Sequence, residues 1–191
     1  MAKIILGMTM SLDGYINDPS GGVGQLYSDL TSGDGQAGSA QMNELMQESI
    51  RDTGAVVLGK NSYLMGGDVD DYADSYEYQV PIFVVTREVP AKKPKENENL
   101  TFTFVTDGIE SALSQARAVA GERNVQLIGG AITAQQALRA GLVDEIQIDI
   151  MPILLGGGLR LFENIDTEIR LEKLRVIETP VRTSFSFRVL K

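Results

Sequence analysis

The sequence predicts an α/β fold: a mixed, mainly parallel sheet flanked by helices and closed by a C-terminal antiparallel hairpin. Three observations carry this. Short apolar runs alternate with amphipathic stretches of helical period as far as "VDEIQIDIMPIL", the pattern of strands joined by crossover helices. Beyond that point "RLEKLRVIE" and "RTSFSFRVL" flank Thr179 and Pro180, and Phe185, Phe187 and Val189 alternate with polar neighbours, as antiparallel strands do. Finally, 191 residues without an internal repeat or a convincing linker make one domain, 1–191, with room for a sizeable core.

Element by element, Lys3 to Met10 reads as a buried strand, and "SLDGYI" after it carries an Asp-Gly turn at Asp13 and Gly14. The glycine- and aspartate-rich stretch from Asn17 to Gly38 reads as a long loop, either a functional lid or partly disordered. Ser39 is a candidate N-cap for a helix reaching about Asp52, with Met42, Leu45, Met46 and Ser49 or Ile50 on one face. "AVVLG" is a buried strand and "KNSYLMGG" a short helical segment. An acidic loop bearing Tyr72, Tyr76 and Tyr78 separates it from the strand "PIFVVT". With Tyr63, these tyrosines fit either a substrate pocket or a surface or dimer contact. After the charged linker "REVPAKKPKENEN" come the strand "LTFTFVT", a helix from about Ile109 to Ala120, the strand "VQLIG", a helix from about Ile132 to Ala140 and the strand "VDEIQIDIMPIL".

Composition narrows the chemistry. Seventeen basic against 26 acidic residues give a net charge of −9, with no compensating basic cluster, which argues against nucleic acid and anionic membranes as partners. Cysteine and histidine are both absent, which excludes thiol nucleophiles, disulfides, serine–histidine triads and nearly every zinc site. No metal is expected. No run approaches the ~20 apolar residues of a membrane span, so the expectation is a soluble, cytoplasmic protein.

Ligands of open α/β sheets collect at the carboxyl ends of the strands. In "LIGGAITAQQAL", Gly129 and Gly130 open a strand-to-helix junction where a ligand can approach main-chain N–H groups, and the helix behind adds a positive dipole end suited to phosphate. A tight connection or close helix–sheet packing explains the same pair equally well. "VVLGKNSY" ends its strand with Gly59, Lys60 and Ser62, and "FVVTR" ends its strand with Thr86 and Arg87, a hydroxyl beside a guanidinium that suits a monophosphate. Neither a P-loop nor a Rossmann glycine fingerprint is present.

These segments, "SLDGYI", "VVLGKNSY", "IFVVTR" and "LIGGAITAQQALRAGLVDEIQIDIMPILLGGGLRLF", stand in an order that resembles the stand-alone relatives of the riboflavin-biosynthesis reductase domain. That is the C-terminal domain of bacterial bifunctional deaminase-reductases, and it shares the dihydrofolate reductase fold. The resemblance spans about Lys3 to Leu190, and "AGLVDEI" followed by "PILLGGGLRLF" is its most specific part. It implies NADPH bound along the strand ends: Lys60 and Ser62 at its phosphates, Thr86 and Arg87 at its 2′-phosphate, and Gly129, Gly130, Ala131 and Ile132 at its pyrophosphate. It also places Met8, Thr9 and Asp13 near the reacting carbon and implies a homodimer.

The resemblance implies a reductase of a small heterocyclic, pterin- or pyrimidine-like, or carbonyl substrate, related to 5-amino-6-(5-phosphoribosylamino)uracil reductase and dihydrofolate reductase. Two departures bear on the substrate. Gly7 stands where the riboflavin-pathway enzymes have a lysine, and Ile128 where they have a glutamate, so groups that would engage a phosphorylated ribosylaminopyrimidine are gone. Reduction of C=O or C=N needs a proton source, for which Asp13 and Glu44 are the candidates. Asp13 reads equally as an ordinary turn residue, and Glu44 as a solvent-facing helix residue. In "LLGGGLRLF" we expect a turn at Gly156 to Gly158, with Phe162 re-entering the core. Two alternatives stand beside the reductase: a non-catalytic nucleotide-binding protein of the same fold, and dihydrofolate reductase proper.

Overall fold

The computed structural model describes residues 2–31, 40–65 and 67–191. Its strands are β1 (Ile4–Ser11), β2 (Thr53–Gly59), β3 (Ile82–Val85), β4 (Phe102–Val105), β5 (Asn124–Leu127), β6 (Glu145–Met151), β7 (Arg170–Glu178) and β8 (Thr183–Leu190). They form one sheet in the order β4-β3-β2-β5-β1-β6-β8-β7. The first six are mutually parallel, so their carboxyl ends share one edge, while β8 runs antiparallel to β6 and to β7. The expected parallel sheet with a terminal hairpin is therefore what the chain builds.

The sheet is the middle of three layers because its central strands are apolar on both faces, as parallel strands covered by helices must be. On one face, Leu6, Val57, Phe83, Val125 and Leu127 pack against α5 (Ile109–Ala120) and α6 (Ala131–Arg139), which contribute Leu113, Ala116, Ala134 and Leu138. On the other face, Val56, Leu58, Ile82 and Val84 pack with Tyr63 of α3 (Lys60–Met65), Tyr72 of α4 (Tyr72–Ser75), and Tyr78. This second cluster is strongly aromatic: the Tyr63 ring lies 5.6 Å from that of Phe102 and 5.7 Å from that of Phe104, both edge to face.

Several expectations change. The described part of the expected loop from Gly66 to Val80 is not a plain loop: it winds through a 3-10 turn at Val69–Asp71 and then α4, because Tyr72 and Ala73 are drawn into the core. Tyr63, Tyr72 and Tyr78 are core residues, and Tyr78 alone of these three also faces the cleft described below. The described part of the Asn17 to Gly38 loop is ordered into a 3-10 turn at Gly24–Tyr27 and α1 (Ser28–Thr31), with Leu26 and Asp29 buried. Ser39, the expected cap of α2 (Ala40–Asp52), lies outside the described residues. Leu161 rather than Phe162 re-enters the core: Leu161 is fully buried, and Phe162 is 43% exposed.

Candidate functional site

The expected phosphate-binding residues gather at the carboxyl edge of the parallel strands. At the end of β5 the chain turns through Gly129, whose φ of +65° lies in the left-handed region, and a cis peptide links it to Gly130, which precedes α6. A β-carbon at Gly129 would stand 2.6 Å from the Ser62 hydroxyl and 3.7 Å from the Met8 sulfur. The glycine is thus required twice, by its backbone angle and by the closeness of a side chain from α3. Gly59 N–H donates to the Gly129 carbonyl at 2.9 Å, locking the end of β2 to this turn. Gly130 provides no side-chain cap, so the first N–H groups of α6, those of Ala131 and Ile132 among them, have no intrahelical acceptor. Together with the exposed Lys60 on α3, these groups make an anion-suited corner.

Thr86 and Arg87 follow β3 along the same edge. The Thr86 hydroxyl donates to the Glu88 carbonyl at 2.9 Å, while Arg87 is exposed and makes no ion pair among the described residues. Lys60 pairs with Glu88 at 3.2 Å on the surface, a contact worth little on its own.

Beside this corner, on the face covered by α2, lies a cleft of roughly 160 Å³. Its floor follows from strand register. Thr9, Asp149 and Ser184 stand side by side across β1, β6 and β8, and Gly7, Gln147 and Ser186 form the next row. Gln126 of β5 and Ile128 continue the floor, and Met42, Leu45, Met46 and Ser49 of α2 form the roof, with Tyr27, Glu77 and Tyr78 at the sides. The predicted apolar face of α2 is therefore a cleft wall more than a core face.

A buried polar network holds this floor. Arg182, 3% exposed, donates through Nε to Asp29 Oδ2 at 2.7 Å and through Nη2 to Asp29 Oδ1. It also donates through Nη1 to Asp149 Oδ2 at 3.1 Å and through Nη2 to the Leu26 carbonyl at 3.2 Å. Ser184 Oγ donates to Asp149 Oδ1. Burial pulls the Arg182 guanidinium down, but its two carboxylates more than compensate and hold it above its ordinary value. Tyr27, next to Leu26, is hydrogen-bonded to Thr9; burial pushes its phenol up, against a smaller opposing effect of Thr9. A second chain runs from Gln126 Nε2 to Ser49 Oγ at 2.9 Å and on to the Tyr78 hydroxyl at 2.8 Å.

The two expected proton sources are not brought into this cleft. Asp13 accepts from the Ser11 hydroxyl at 2.5 Å, from Leu155 N–H at 3.1 Å and from Gly156 N–H at 2.8 Å. The Ser11 bond above all, with those loop amides, outweighs desolvation and holds its carboxyl at about 2. It is ionised at neutral pH and has no proton to deliver; it pins the glycine turn at 155–158 to the β1 turn. Glu44 is exposed, and helical spacing puts it on the face of α2 opposite Met42, Leu45, Met46 and Ser49. Thr9, in contrast, lies on the cleft floor, and Met8 touches both the cleft and the Gly129 corner.

Sequence reasoning missed Asp149, Ser184, Arg182 and Tyr27. The signal for two of them was the alternation in "EIQIDIM" and "TSFSFR", whose polar members fit a solvated sheet face. The cover supplied by α2 and residues 24–31 makes that face a floor.

The model of the RibD C-terminal domain family matches residues 2–183. The chain belongs to this family. A relative within reach of sequence comparison is the Bacillus subtilis (strain 168) uncharacterized protein YwjB, 25% identical over 172 residues, which are 88% of this chain and 87% of that one. Among solved structures, a Shewanella sp. PV-4 protein assigned to riboflavin biosynthesis matches this RibD C-terminal domain with a TM-score of 0.74 at 23% identity, covering 100% of both chains. Dihydrofolate reductase from Enterococcus faecalis, complexed with NADP(H), matches it with a TM-score of 0.61 at 13% identity, covering 99% of this chain and 97% of that one. The fold is dihydrofolate reductase-like. No helix among the described residues is long and apolar enough to cross a membrane.

Proposed function

We propose that this RibD C-terminal domain protein is an NADPH-dependent reductase of a small heterocyclic or carbonyl compound. The observation that carries the reading is adjacency: an anion-suited backbone corner and a cleft with a polar floor and an apolar roof meet at Met8, at the carboxyl edge of one parallel sheet. Membership of the family and the likeness to an NADP(H)-binding dihydrofolate reductase support it.

The residues present fit the cofactor. With no side-chain cap at Gly130, the first N–H groups of α6 lack an acceptor, so a pyrophosphate would meet main-chain amides of Gly130, Ala131 and Ile132 with the Ser62 hydroxyl and Lys60 nearby. Gly59 holds that turn, and Thr86 and Arg87 would hold the 2′-phosphate that separates NADPH from NADH. When bound, the cofactor supplies the hydride.

The chain's own residues orient the substrate, exclude water and keep a proton available. Met42, Leu45 and Met46 close the cleft above, and Thr9, Gln126 and Asp149 present polar atoms below. A phenol is protonated at neutral pH and burial pushes Tyr27 further in that direction, so its hydroxyl, hydrogen-bonded to Thr9, is the proton-holding group we assign to the cleft in place of Asp13 and Glu44.

The test is turnover: NADPH oxidation by the purified protein against a panel of pteridines, aminopyrimidines and small carbonyl compounds. We expect multiple turnovers on at least one, with Arg87→Ala raising KM for NADPH and leaving kcat nearly unchanged. Failure of every compound, together with absence of NADPH binding, would remove the reductase reading.

A further inference from the structure

The cleft contains a charge imbalance that bears on its ligand. Arg182 is its only nearby buried cation among the described residues, and it faces two carboxylates, Asp29 and Asp149. One positive charge against two negative ones leaves the cluster at −1. The guanidinium is 3% exposed and commits bonds from all three of its nitrogens to Asp29, Asp149 and the Leu26 carbonyl, so it is shielded from a ligand. Among the described residues, the cleft is lined by one further charged residue, Glu77, which is also acidic, and by no lysine or arginine.

Asp149 and Gln126 keep acceptors open on the floor, beside the mixed donor-acceptor groups of Gln147 and Ser186 in the neighbouring row. Each Asp149 oxygen takes one bond, from Ser184 or Arg182, and a carboxylate oxygen accepts two. Gln126 is 3% exposed; its amide donates to Ser49, and no described group donates to its carbonyl oxygen. That oxygen lies 3.3 Å from where a β-carbon on Gly7 would stand, at the cleft floor. Among the described residues no fully buried side-chain nitrogen or oxygen lacks a partner, so this acceptor keeps some contact with solvent.

We propose that Asp149 is the specificity-determining residue of the cleft, and that with Gln126 it selects a neutral or cationic heterocycle rich in N–H donors and rejects substrates carrying a phosphate or carboxylate. The inference rests on the reading of this cleft as the substrate side of a reductase. A carboxylate held on both oxygens accepts paired N–H groups in fixed orientation, and an anion brought to a cluster already at −1 meets repulsion with no free cation to offset it.

The experiment uses two pyrimidines of opposite character, 2,4-diaminopyrimidine and orotate, titrated by calorimetry into the full chain, with NADPH titrated in parallel. We expect diaminopyrimidine to bind at least about ten-fold tighter than orotate, and Asp149→Asn to lose about ten-fold of that affinity. Because Asp149 touches Arg182, a second variant leaves the network intact: Met46→Lys, at a 40% exposed cleft residue, adds a cation and should narrow the gap between the two ligands. Orotate binding as tightly as diaminopyrimidine, or no diaminopyrimidine binding at all, overturns the proposal even if NADPH binds. Selective diaminopyrimidine binding without NADPH binding supports the specificity of the cleft and removes the reductase reading instead.

Discussion

Replacing Arg182 by methionine should be among the most damaging single changes in this chain. Methionine keeps most of the apolar stem and removes the guanidinium, so the loss is electrostatic more than steric. Four hydrogen bonds go at once, two to Asp29, one to Asp149 and one to Leu26 C=O. The side chain of Asp29 is 5% exposed and that of Asp149 23%. Two carboxylates are then left close together without their cation. Breaking a buried ion pair by removing one partner costs about 3–5 kcal/mol, a large share of the roughly 5–15 kcal/mol that a domain has in total. For a chain of this length that corresponds to a fall in Tm of about 6–20 °C. Urea unfolding of the native chain, Arg182→Met, Asp29→Asn and the double variant measures it. The double variant should lose less than the sum of the singles, because Asp29→Asn relieves the repulsion that Arg182→Met creates. A loss below about 1 kcal/mol for Arg182→Met, or strict additivity, would refute the buried-network account, since that is the worth of a surface pair.

Other expectations follow from the same geometry. Gly129→Ala should cost about 1–2 kcal/mol for its left-handed backbone and more for the 2.6 Å approach to Ser62, and Ser62→Ala in the same chain should recover part of the loss in thermal unfolding. Asp13 has a folded pKa of about 2 against 3.8 ordinarily, a lowered value, so the stability it contributes is present above about 3.8 and lost as pH falls towards 2. Asp13→Asn should therefore flatten the Tm-against-pH curve in that window, and an unchanged acid limb would contradict the assignment. Tyr27→Phe should lower turnover at least about ten-fold with little change in NADPH affinity, while Glu44→Gln should leave both unchanged; equal effects would remove Tyr27 from its role.

The strands and their order of type were legible because central parallel strands such as β2 and β3 are continuous apolar runs bounded by glycine or charge, and the C-terminal hairpin showed a clean period of two. The anion-suited corner was legible for a similar reason: Gly59, Gly129 and Gly130 sit at strand ends, where local sequence alone fixes their place along the edge. The cleft was not, because it depends on long-range pairing. Asp149 meets Thr9 and Ser184 only through register across three strands, and Arg182 meets Asp29 across 153 residues of chain. Asp13 and Glu44 misled for the opposite reason, since both are carboxylates close in sequence to suitable elements. One is tied down by the amides of a loop 142 residues away, and the other faces the wrong side of its helix.

The most direct test of the central claim is calorimetric binding of NADPH and NADH to the native chain and to Arg87→Ala. NADPH should bind about ten-fold or more tighter than NADH, and the substitution should erase that difference while leaving NADH affinity unchanged, because Arg87 is exposed and makes no ion pair among the described residues. Binding of neither nucleotide, or equal weakening of both by Arg87→Ala, would contradict the placement of an NADPH site along the ends of β2, β3 and β5.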